Sequence, residues 1–327
     1  MDIRRINSTD LERIIEYQKS VFPERREKAA GLIGFWLSKS AQEAESSFVL
    51  VDGEEIKGML MFSSMDYFFE GNTNADFWAF DLIVDENLRK EGWGLNLMMR
   101  AFKQHNTCFC AGSGPFALKI ELKLGFHIIG EIRKYVRLVN PLCLFTAFMR
   151  GNIRRESFPN SVVIGSEQFM RVPLEQMSES HQPFNPQLLE ISRTKDFLLW
   201  RYGQLHDYVI FKSHESDDYF VLRTIVKHGV TALVMVDFRC DVKKEGCYGR
   251  IVDATIKIAK ELRLPVVIVG SSLTTIDSEL ERRAFKSVGR PRPIISKDKR
   301  FKSYKQAIDE RDFCLVTLAD SDGEVLW

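Results

Sequence analysis

The order of strand and helix patterns along residues 1–139 is the feature that most limits the fold of this chain. Alternating or β-branched runs predict strands, and apolar residues spaced three or four apart predict helices. In order they predict β-α-α-β-β-β-α-β-α-β, with the longest strands at Glu55–Tyr67 and Phe126–Val139 and a further strand at Ala75–Val84. Because neighbouring strands follow one another without a regular βαβ repeat, this order predicts an α+β fold with a mixed, mostly antiparallel sheet flanked by helices.

The second half of the sequence repeats this order in a weaker form, which predicts a duplicated fold. A length of 327 residues also suggests two domains. We predict a first domain at 1–145, a proline-containing connector with short elements at 146–185, and a second, degenerate domain at 186–327. The predicted helices of the second domain lie at about 186–202, 250–263 and 277–288, and its strands at 208–212, 219–227, 231–239, 265–269 and 313–318.

Composition and charge exclude several classes of protein. The net charge is +1, so bulk electrostatics gives no reason to expect nucleic acid or an anionic membrane as a partner. No apolar run is long enough to cross a bilayer, and the N-terminus has no secretory pattern. Six cysteines are too few for a disulfide scaffold, and the six histidines show no metal-ligand spacing. These observations predict a cytoplasmic protein with reduced thiols and no metal.

One segment combines a hydrophobic strand, a turn with two glycines and the start of a helix. The turn reads Arg89-Lys90-Glu91-Gly92-Trp93-Gly94. Glycines let the backbone approach an anion closely, and the free N–H groups and dipole of a helix start favour a diphosphate. Arg89 and Lys90 would add positive charge. An isolated pair of glycines could equally be a plain turn, and the dinucleotide-binding fingerprint is excluded because its third glycine and βαβ setting are absent.

The spacing R-x-x-G-x-G after a strand ending in Val84 resembles the acyl-CoA-binding signature of the GNAT N-acyltransferase superfamily. Residues 117–126, with the sequence ALKIELKLGF, resemble the later helix of that superfamily, which ends in L-G-F. The resemblance implies two tandem GNAT-like domains, the first of which binds acetyl-CoA or another acyl-CoA through strand backbone and helix-start N–H groups. The implied donor-binding residues are Leu82, Ile83, Val84, Arg89, Lys90, Glu91, Gly92, Trp93, Gly94 and Leu95.

The resemblance also implies a general base and a general acid, for which three carboxylates are candidates. Asp76 lies nearer the usual position of the base, whereas Asp81 lies closer to the thioester region. Their odd separation places them on opposite faces of a regular strand, so at most one points into the cleft. Glu121 takes the position where the superfamily often has a tyrosine acid, and it could donate a proton only if burial raises its pKa. Tyr67 and Tyr135 are alternative acids.

Short motifs in the second half resemble tandem-GNAT proteins encoded with bacterial surface-polysaccharide genes. They are Trp200-Arg201-Tyr202 and Asp320-Ser321-Asp322-Gly323. The aromatic and arginine could contact a sugar or belong to the core, and the aspartates could bind a cation or a hydroxyl or form a tight turn. The loop at 243–249 cannot be written as R-x-x-G-x-G. It therefore predicts a second domain that has lost acyl-CoA binding and instead shapes the acceptor site or packs against the first.

Residues 290–305 hold seven lysines or arginines and one acid, Asp298. This strip could receive a phosphate or nucleotide-sugar, although a solvated, flexible loop is the simpler interpretation.

The function implied by the resemblance is acyl-CoA-dependent N-acyl transfer by direct attack of a primary amine on the thioester. The acceptor would be a small molecule such as an amino sugar or nucleotide-sugar. A non-catalytic CoA-binding or scaffold protein with the same fold is the alternative, favoured by Glu121 and by Gly114, which replaces a frequent asparagine. Aminoacyl transfer from charged tRNA is disfavoured by the intact R-x-x-G-x-G and the near-neutral charge.

Overall fold

The structure is a computed structural model whose contacts divide the chain into two compact units. Unit 1 comprises Met1–Tyr67, Asn74–Ile129 and Pro293–Ala307, and unit 2 comprises Phe68–Thr73, Gly130–Arg292 and Ile308–Trp327. The residues that the structure describes are 1–23, 26–39, 42–105, 107–143, 154–177, 179, 182–227, 229–305 and 312–320.

The described residues form the following helices and strands. The helices are α1 (Leu11–Val21), α2 (Ala29–Leu37), α3 (Gln42–Ser46), α4 (Glu86–Arg89), α5 (Trp93–Gln104), α6 (Pro115–Lys123), α7 (Lys195–Gly203), α8 (Cys247–Glu261), α9 (Thr274–Arg282) and α10 (Lys299–Lys305). The strands are β1 (Asp2–Arg5), β2 (Phe48–Asp52), β3 (Glu55–Phe69), β4 (Asn72–Val84), β5 (Phe109–Ala111), β6 (His127–Leu138), β7 (Ser161–Ile164), β8 (Glu167–Val172), β9 (Leu189–Ile191), β10 (Val209–Ser213), β11 (Tyr219–Lys227), β12 (Val230–Arg239), β13 (Val266–Ser271), β14 (Lys286–Ser296) and β15 (Cys314–Leu315).

The sheet of unit 1 runs in the order β1-β2-β3-β4-β5 and then the end of β14. β1 pairs antiparallel with β2, and β2 with β3, whereas β4 and β5 are parallel. Residues Ile294–Ser296 of β14 then pair antiparallel with Phe109–Ala111. The mixed, mostly antiparallel sheet predicted from the sequence is therefore confirmed, and a strand from the last third of the chain completes it.

Helices cover both faces of the unit 1 sheet because its central strands alternate apolar side chains between the two faces. On one face, Ala79 of β4 and Cys110 of β5 join a buried cluster with Leu97 and Phe102 of α5. On the opposite face, the ring of Phe80 lies 4.4 Å from that of Trp36 in α2.

Unit 2 has a sheet of similar design. β7, β8, β10, β11 and β12 pair antiparallel in the order β7-β8-β10-β11-β12, β12 and β13 are parallel, and β13 pairs antiparallel with β6. Ile251, Ala254 and Ile258 of α8 are buried in its core. In each unit a long helix thus connects the two strands of a parallel pair, β4-α5-β5 and β12-α8-β13. The two units therefore share this arrangement of a parallel strand pair and its connecting helix.

The helix predicted at 186–202 is shorter in the structure and begins at Lys195. Thr194 is the N-cap, and its hydroxyl accepts a hydrogen bond from the N–H of Phe197 at 3.1 Å. Upstream, Leu189–Ile191 form β9, which pairs in parallel with Cys314–Leu315. The prediction was wrong over this stretch because a short apolar run fits a helix or a buried strand equally well.

The flexible loop predicted at 290–305 is instead ordered as the end of β14 and all of α10. The basic side chains Arg290 and Arg292 are exposed, while Ile294 and Ile295 are buried. In the predicted connector 146–185, β7 and β8 form an antiparallel pair, and Phe169 of β8 is fully buried.

The compact units interleave along the chain, whereas the sequence predicts consecutive domains. The predicted boundary at residue 145 lies outside the described residues, and compactness alone does not test a duplication, so the boundaries stay a prediction. Within the described residues, no helix is long and apolar enough to cross a membrane.

Candidate active site

β4 and β5 of unit 1 pair over only two positions before they separate. Trp78 lies opposite Phe109 and Ala79 opposite Cys110. β4 then continues to Val84, while β5 ends one residue after Cys110. Among the described residues, β4 therefore has no pairing with β5 from Phe80 onward.

The continuation of β4 contains a residue in the left-handed conformation. Asp81 has φ +48°, which is uncommon for a residue with a side chain. One of its carboxylate oxygens, Oδ2, accepts a hydrogen bond of 3.0 Å from the amide of Gln18 in α1. Because β4 is irregular at this residue, the alternation used to place Asp76 and Asp81 on opposite faces does not apply across it. Leu82 is half-buried, and Ile83 and Val84 are buried.

The turn after β4 leads directly into the start of α5. Gly92 caps the helix with φ +83°, a conformation that glycine adopts without strain. The first N–H groups of a helix, here those of Trp93, Gly94 and Leu95, have no acceptor within the helix. These N–H groups and the positive end of the helix dipole lie at one corner of unit 1, next to the end of β4, and such an arrangement favours an anion.

Gly94 is a glycine that no contact among the described residues requires. It lies inside the first helical turn, and of the described residues a Cβ atom placed on it would meet only Cγ2 of Val84, at 3.8 Å. In this part of the chain, neither backbone conformation nor packing requires a missing side chain. A glycine at such a position leaves room for a ligand to approach the backbone closely, which fits a diphosphate group.

The side chains of the turn play different parts. Arg89 uses its Nε to donate a hydrogen bond of 2.7 Å to the carbonyl oxygen of Val84, which ties the turn to the end of β4. Lys90 and Glu91 are exposed, and the indole N–H of Trp93 donates to Glu91 at 3.3 Å. The structure thus brings the predicted donor-binding residues together at one corner of unit 1, and the charge of Arg89 stays at this corner.

Asp76 is a buried carboxyl group on β4. Its Oδ1 accepts a hydrogen bond of 2.8 Å from the N–H of Phe77, and its Oδ2 accepts none from the residues that the structure describes. Burial raises the pKa of Asp76 to about 6, against lowering contributions from the Phe77 N–H and the Thr107 hydroxyl. A carboxyl group that titrates near neutral pH is suited to accept a proton.

A polar cluster beside Asp76 was not anticipated from the sequence. In unit 1, Arg300 donates from Nη2 to the hydroxyl of Tyr67 at 3.0 Å, from Nη1 to Asn74 at 3.2 Å, and from Nε to Asp298 at 2.8 Å. The negative charge of Asp298 raises the pKa of Asp76 further, and Arg300 lowers it. The sequence indicated two of its members separately, Tyr67 as an alternative acid and Asp298 as the single acid of the basic strip, but not their contact through Arg300.

Glu121 is buried on α6, with 4% of its surface exposed. Burial raises the pKa of Glu121, although the Ser113 hydroxyl opposes this, and its Oε2 accepts no hydrogen bond among the described residues. A raised pKa is the condition under which Glu121 could act as a proton donor. Of the alternative acids, Tyr67 is held by Arg300, while Tyr135 belongs to unit 2 and donates to Glu281 at 3.3 Å.

The corresponding helix of unit 2 starts in the same way but differs two residues later. Gly246 caps α8 with φ +76°, like Gly92. The position that matches Gly94 is Tyr248, which is buried against Phe238. A Cβ atom on the next glycine, Gly249, would lie 2.5 Å from the guanidinium of Arg283, so side chains already fill that space. The loss of acyl-CoA binding in the second half stays a prediction.

The short motifs of the second half lie in a buried ionic network of unit 2. Arg201 is fully buried, and Tyr202 donates a hydrogen bond of 2.7 Å to Asp237. Asp320 accepts from the N–H of Thr317 at 2.7 Å and forms an ion pair of 2.6 Å with Arg193. In these contacts the two motifs contribute to packing. Residues 321–323, including Asp322, lie outside the described residues.

Comparison with known proteins identifies the fold. The sequence matches no known family model and no curated protein. Among solved structures, a GCN5-related N-acetyltransferase from Anabaena variabilis has a TM-score of 0.60 and 10% identity, with 90% of this chain and 72% of that chain covered. The probable N-acyltransferase from Enterococcus faecalis has a TM-score of 0.58, 12% identity, and 90% and 71% coverage. N-myristoyltransferase of Saccharomyces cerevisiae with bound myristoyl-CoA has a TM-score of 0.56 and 10% identity, with 90% of this chain and 82% of that chain covered.

The chain therefore has the GNAT fold, as its sequence motifs predict. The similarity extends over nine-tenths of the chain and includes both units. At 10–12% identity it establishes the fold, while activity has to be argued from the residues of this chain.

Proposed function

We propose that this chain is an acyl-CoA-dependent N-acyltransferase and that unit 1 binds the acyl donor. The observation that carries the proposal is the coincidence of two features at the end of β4. The strand has no pairing with β5 after Ala79, and the free N–H groups at the start of α5 include that of Gly94, where no contact among the described residues requires a glycine. The first feature suits a thioester arm, and the second suits a diphosphate.

The donor would be acetyl-CoA or another acyl-CoA. Leu82, Ile83 and Val84 would supply backbone hydrogen bonds to the pantetheine arm, and the backbone from Arg89 to Leu95 would hold the diphosphate. The positive charge of Arg89 at this corner and the dipole of α5 favour the same ligand.

The reaction would be direct attack of an amine on the thioester. The amine nitrogen forms a bond to the carbonyl carbon, the carbon–sulfur bond breaks, and a strand N–H stabilises the developing oxyanion. Asp76, directly or through a water molecule, accepts the proton that the ammonium loses before attack, since its pKa is raised to about 6. The nitrogen, positively charged once it has bonded to the carbonyl carbon, releases its second proton to water as the amide forms. Glu121, whose burial raises its pKa, donates a proton to the departing thiolate.

The acceptor is proposed to be a primary amine. The suggestion of an amino sugar as acceptor rests only on the resemblance of the W-R-Y and D-S-D-G motifs to proteins encoded with surface-polysaccharide genes. Because Trp200, Arg201, Tyr202 and Asp320 are buried in unit 2, they do not support sugar recognition. Amino sugars, amino acids and polyamines should therefore be compared as acceptors.

Titration calorimetry with acetyl-CoA tests the donor site. We expect the unaltered chain to bind and Gly94→Leu to abolish binding, because a side chain there blocks the approach to the helix-start N–H groups. Gly34→Leu is the matched control: Gly34 is also helical, and a Cβ atom there would meet nothing within 4 Å. Failure of the unaltered chain to bind, or equal binding by Gly94→Leu, would reject the proposal. Binding without thiol release from any amine would favour the scaffold alternative.

A further inference from the structure

The left-handed residue of β4 lies at the point where the proposed thioester site opens. Asp81, at φ +48°, follows the last residue paired with β5 by two positions. Residues with a side chain keep such a conformation only where neighbouring groups hold it. A search for those groups leads to α1.

Gln18 is buried on the inner face of α1, with 2% of its surface exposed. Its Nε2 donates a hydrogen bond of 3.0 Å to Oδ2 of Asp81 and lies 3.7 Å from the sulfur of Met59. A buried amide costs free energy unless it is hydrogen-bonded, and an apolar side chain would fill the same space without that cost. The polar contact with Asp81 therefore accounts for glutamine at this helical position.

Neighbouring contacts hold the same region of backbone. Tyr17, next to Gln18 on α1, donates to the carbonyl oxygen of Lys57 at 3.0 Å, and the N–H of Asp85 donates to that oxygen at 2.9 Å. A Cβ atom on Gly58 would lie 2.9 Å from the carbonyl oxygen of Ile83, so β3 lies against the end of β4. With the surrounding strands fixed, the Gln18 contact acts on the local conformation of Asp81.

We propose that Gln18 is a positioning residue of the acyl-transfer site. It holds Asp81 in the left-handed conformation and thereby turns the following backbone, Leu82–Val84, toward the acyl donor. A left-handed residue rotates the adjoining peptide planes relative to a regular strand, so the N–H groups after it depend on this conformation. The inference rests on the proposed function, because the acyl donor is the partner of those N–H groups.

The test is Gln18→Met, which keeps the side-chain length and removes the hydrogen bond. We expect kcat for acyl transfer to fall about tenfold or more, since a misplaced oxyanion donor costs at least that much. The dissociation constant of acetyl-CoA should change far less, because the diphosphate is held at the start of α5. Gln104→Met, an exposed change on α5, is the matched control and should keep the original kcat.

Repeating Gln18→Met in a variant that already carries Asp81→Gly separates a positioning role of Gln18 from a general loss of structure. In Asp81→Gly, glycine adopts a positive φ without support, so adding Gln18→Met should cause no further loss of kcat. Hydrogen exchange of the free protein should show faster exchange at residues 82–84 in Gln18→Met than in Gln104→Met. An unchanged kcat in Gln18→Met, or losses that multiply in the double variant, would overturn this inference and leave the proposed function intact. Absence of acetyl-CoA binding by the unaltered chain would instead reject the proposed function.

Discussion

Asp76 is a carboxyl group whose pKa the fold brings close to neutral pH. Burial raises its pKa to about 6 from an ordinary value of 3.8. As a base it must be ionised, so kcat/KM should rise with pH through about 6. We expect Asp76→Asn to lower turnover about 100-fold or more, because an amide cannot accept the proton. A thiol-release assay across pH 5–8 measures both effects.

Asp81→Asn is the matched control for that experiment. Asparagine keeps an oxygen that can accept from Gln18 and tolerates the left-handed conformation, so turnover should fall much less than in Asp76→Asn. The reverse ranking would make Asp81 the base. Unchanged turnover in both variants would refute a carboxylate base on β4.

The same pKa predicts an opposite effect on stability. The folded state binds the proton of Asp76 more tightly than the unfolded state does, so stability falls as pH rises from about 4 through about 6. For Asp76, a pKa of about 6 in the folded state against 3.8 in the unfolded state corresponds to about 3 kcal/mol in the free energy of unfolding at pH 7. In urea unfolding at pH 4 and pH 7, the loss shown by the unaltered chain should be smaller in Asp76→Asn.

Residues of the site that act in pairs could not be read from the sequence. The Gln18–Asp81 contact spans 63 positions, and the contact between Tyr67 and Arg300 spans 233. Spacing rules identify partners within one helix or strand, and neither pair meets that condition. The glycines of R-x-x-G-x-G were found because their function depends on local backbone geometry.

The close approach of β3 to β4 depends on one glycine. A Cβ atom on Gly58 would meet the carbonyl oxygen of Ile83 at 2.9 Å and Cγ2 of Val84 at 3.0 Å. We expect Gly58→Ala to destabilise the protein by about 1–3 kcal/mol, because the strands must move apart. Gly34→Ala, in open space on α2, should be neutral or stabilising. Thermal unfolding of the two variants compares them directly, and equal melting temperatures would contradict the steric argument.

Long elements with a clear period were predictable, and elements defined by distant pairing were not. Tyr219–Lys227, rich in aromatic and β-branched residues, has the predicted bounds, and Gly125, at φ +96°, follows the end of α6 as expected. β14 was missed because its first residues are exposed, basic and interrupted by prolines. Its strand character depends on pairing with β5, which lies far away in the sequence.

Unit 2 is built around a buried ionic network that shields its charges from water. Arg193 and Arg239 are each about 1% exposed and both contact Asp237, while Glu190 and Asp320 supply further negative charge. Burial alone would raise the pKa of Asp237, but the two arginines hold it well below its usual value. Acid protonates this carboxylate only far below neutral pH, so the network persists across the physiological range.

Removing the negative charge of Asp237 from that network should destabilise the folded protein. We expect Asp237→Asn to reduce the free energy of unfolding by about 3–5 kcal/mol, because it removes the negative charge that Arg193 and Arg239 share in a buried site. Asp253→Asn, which weakens the more exposed pair with Arg283, should change it by at most about 1 kcal/mol. Denaturant unfolding of both variants tests the ranking, and similar losses would show that burial does not govern these pairs.

The interleaving of the units has a consequence for how the protein is made. A ribosome releases Gly130–Arg292, the bulk of unit 2, before Pro293–Ala307 of unit 1 exists. Until Ile294–Ser296 emerge, β5 lacks its antiparallel neighbour, and until Arg300 emerges, the hydroxyl of Tyr67 lacks its donor. The candidate site is therefore completed near the end of translation, and a nascent chain that stops before residue 293 contains every residue of the R-x-x-G-x-G signature without a finished unit 1.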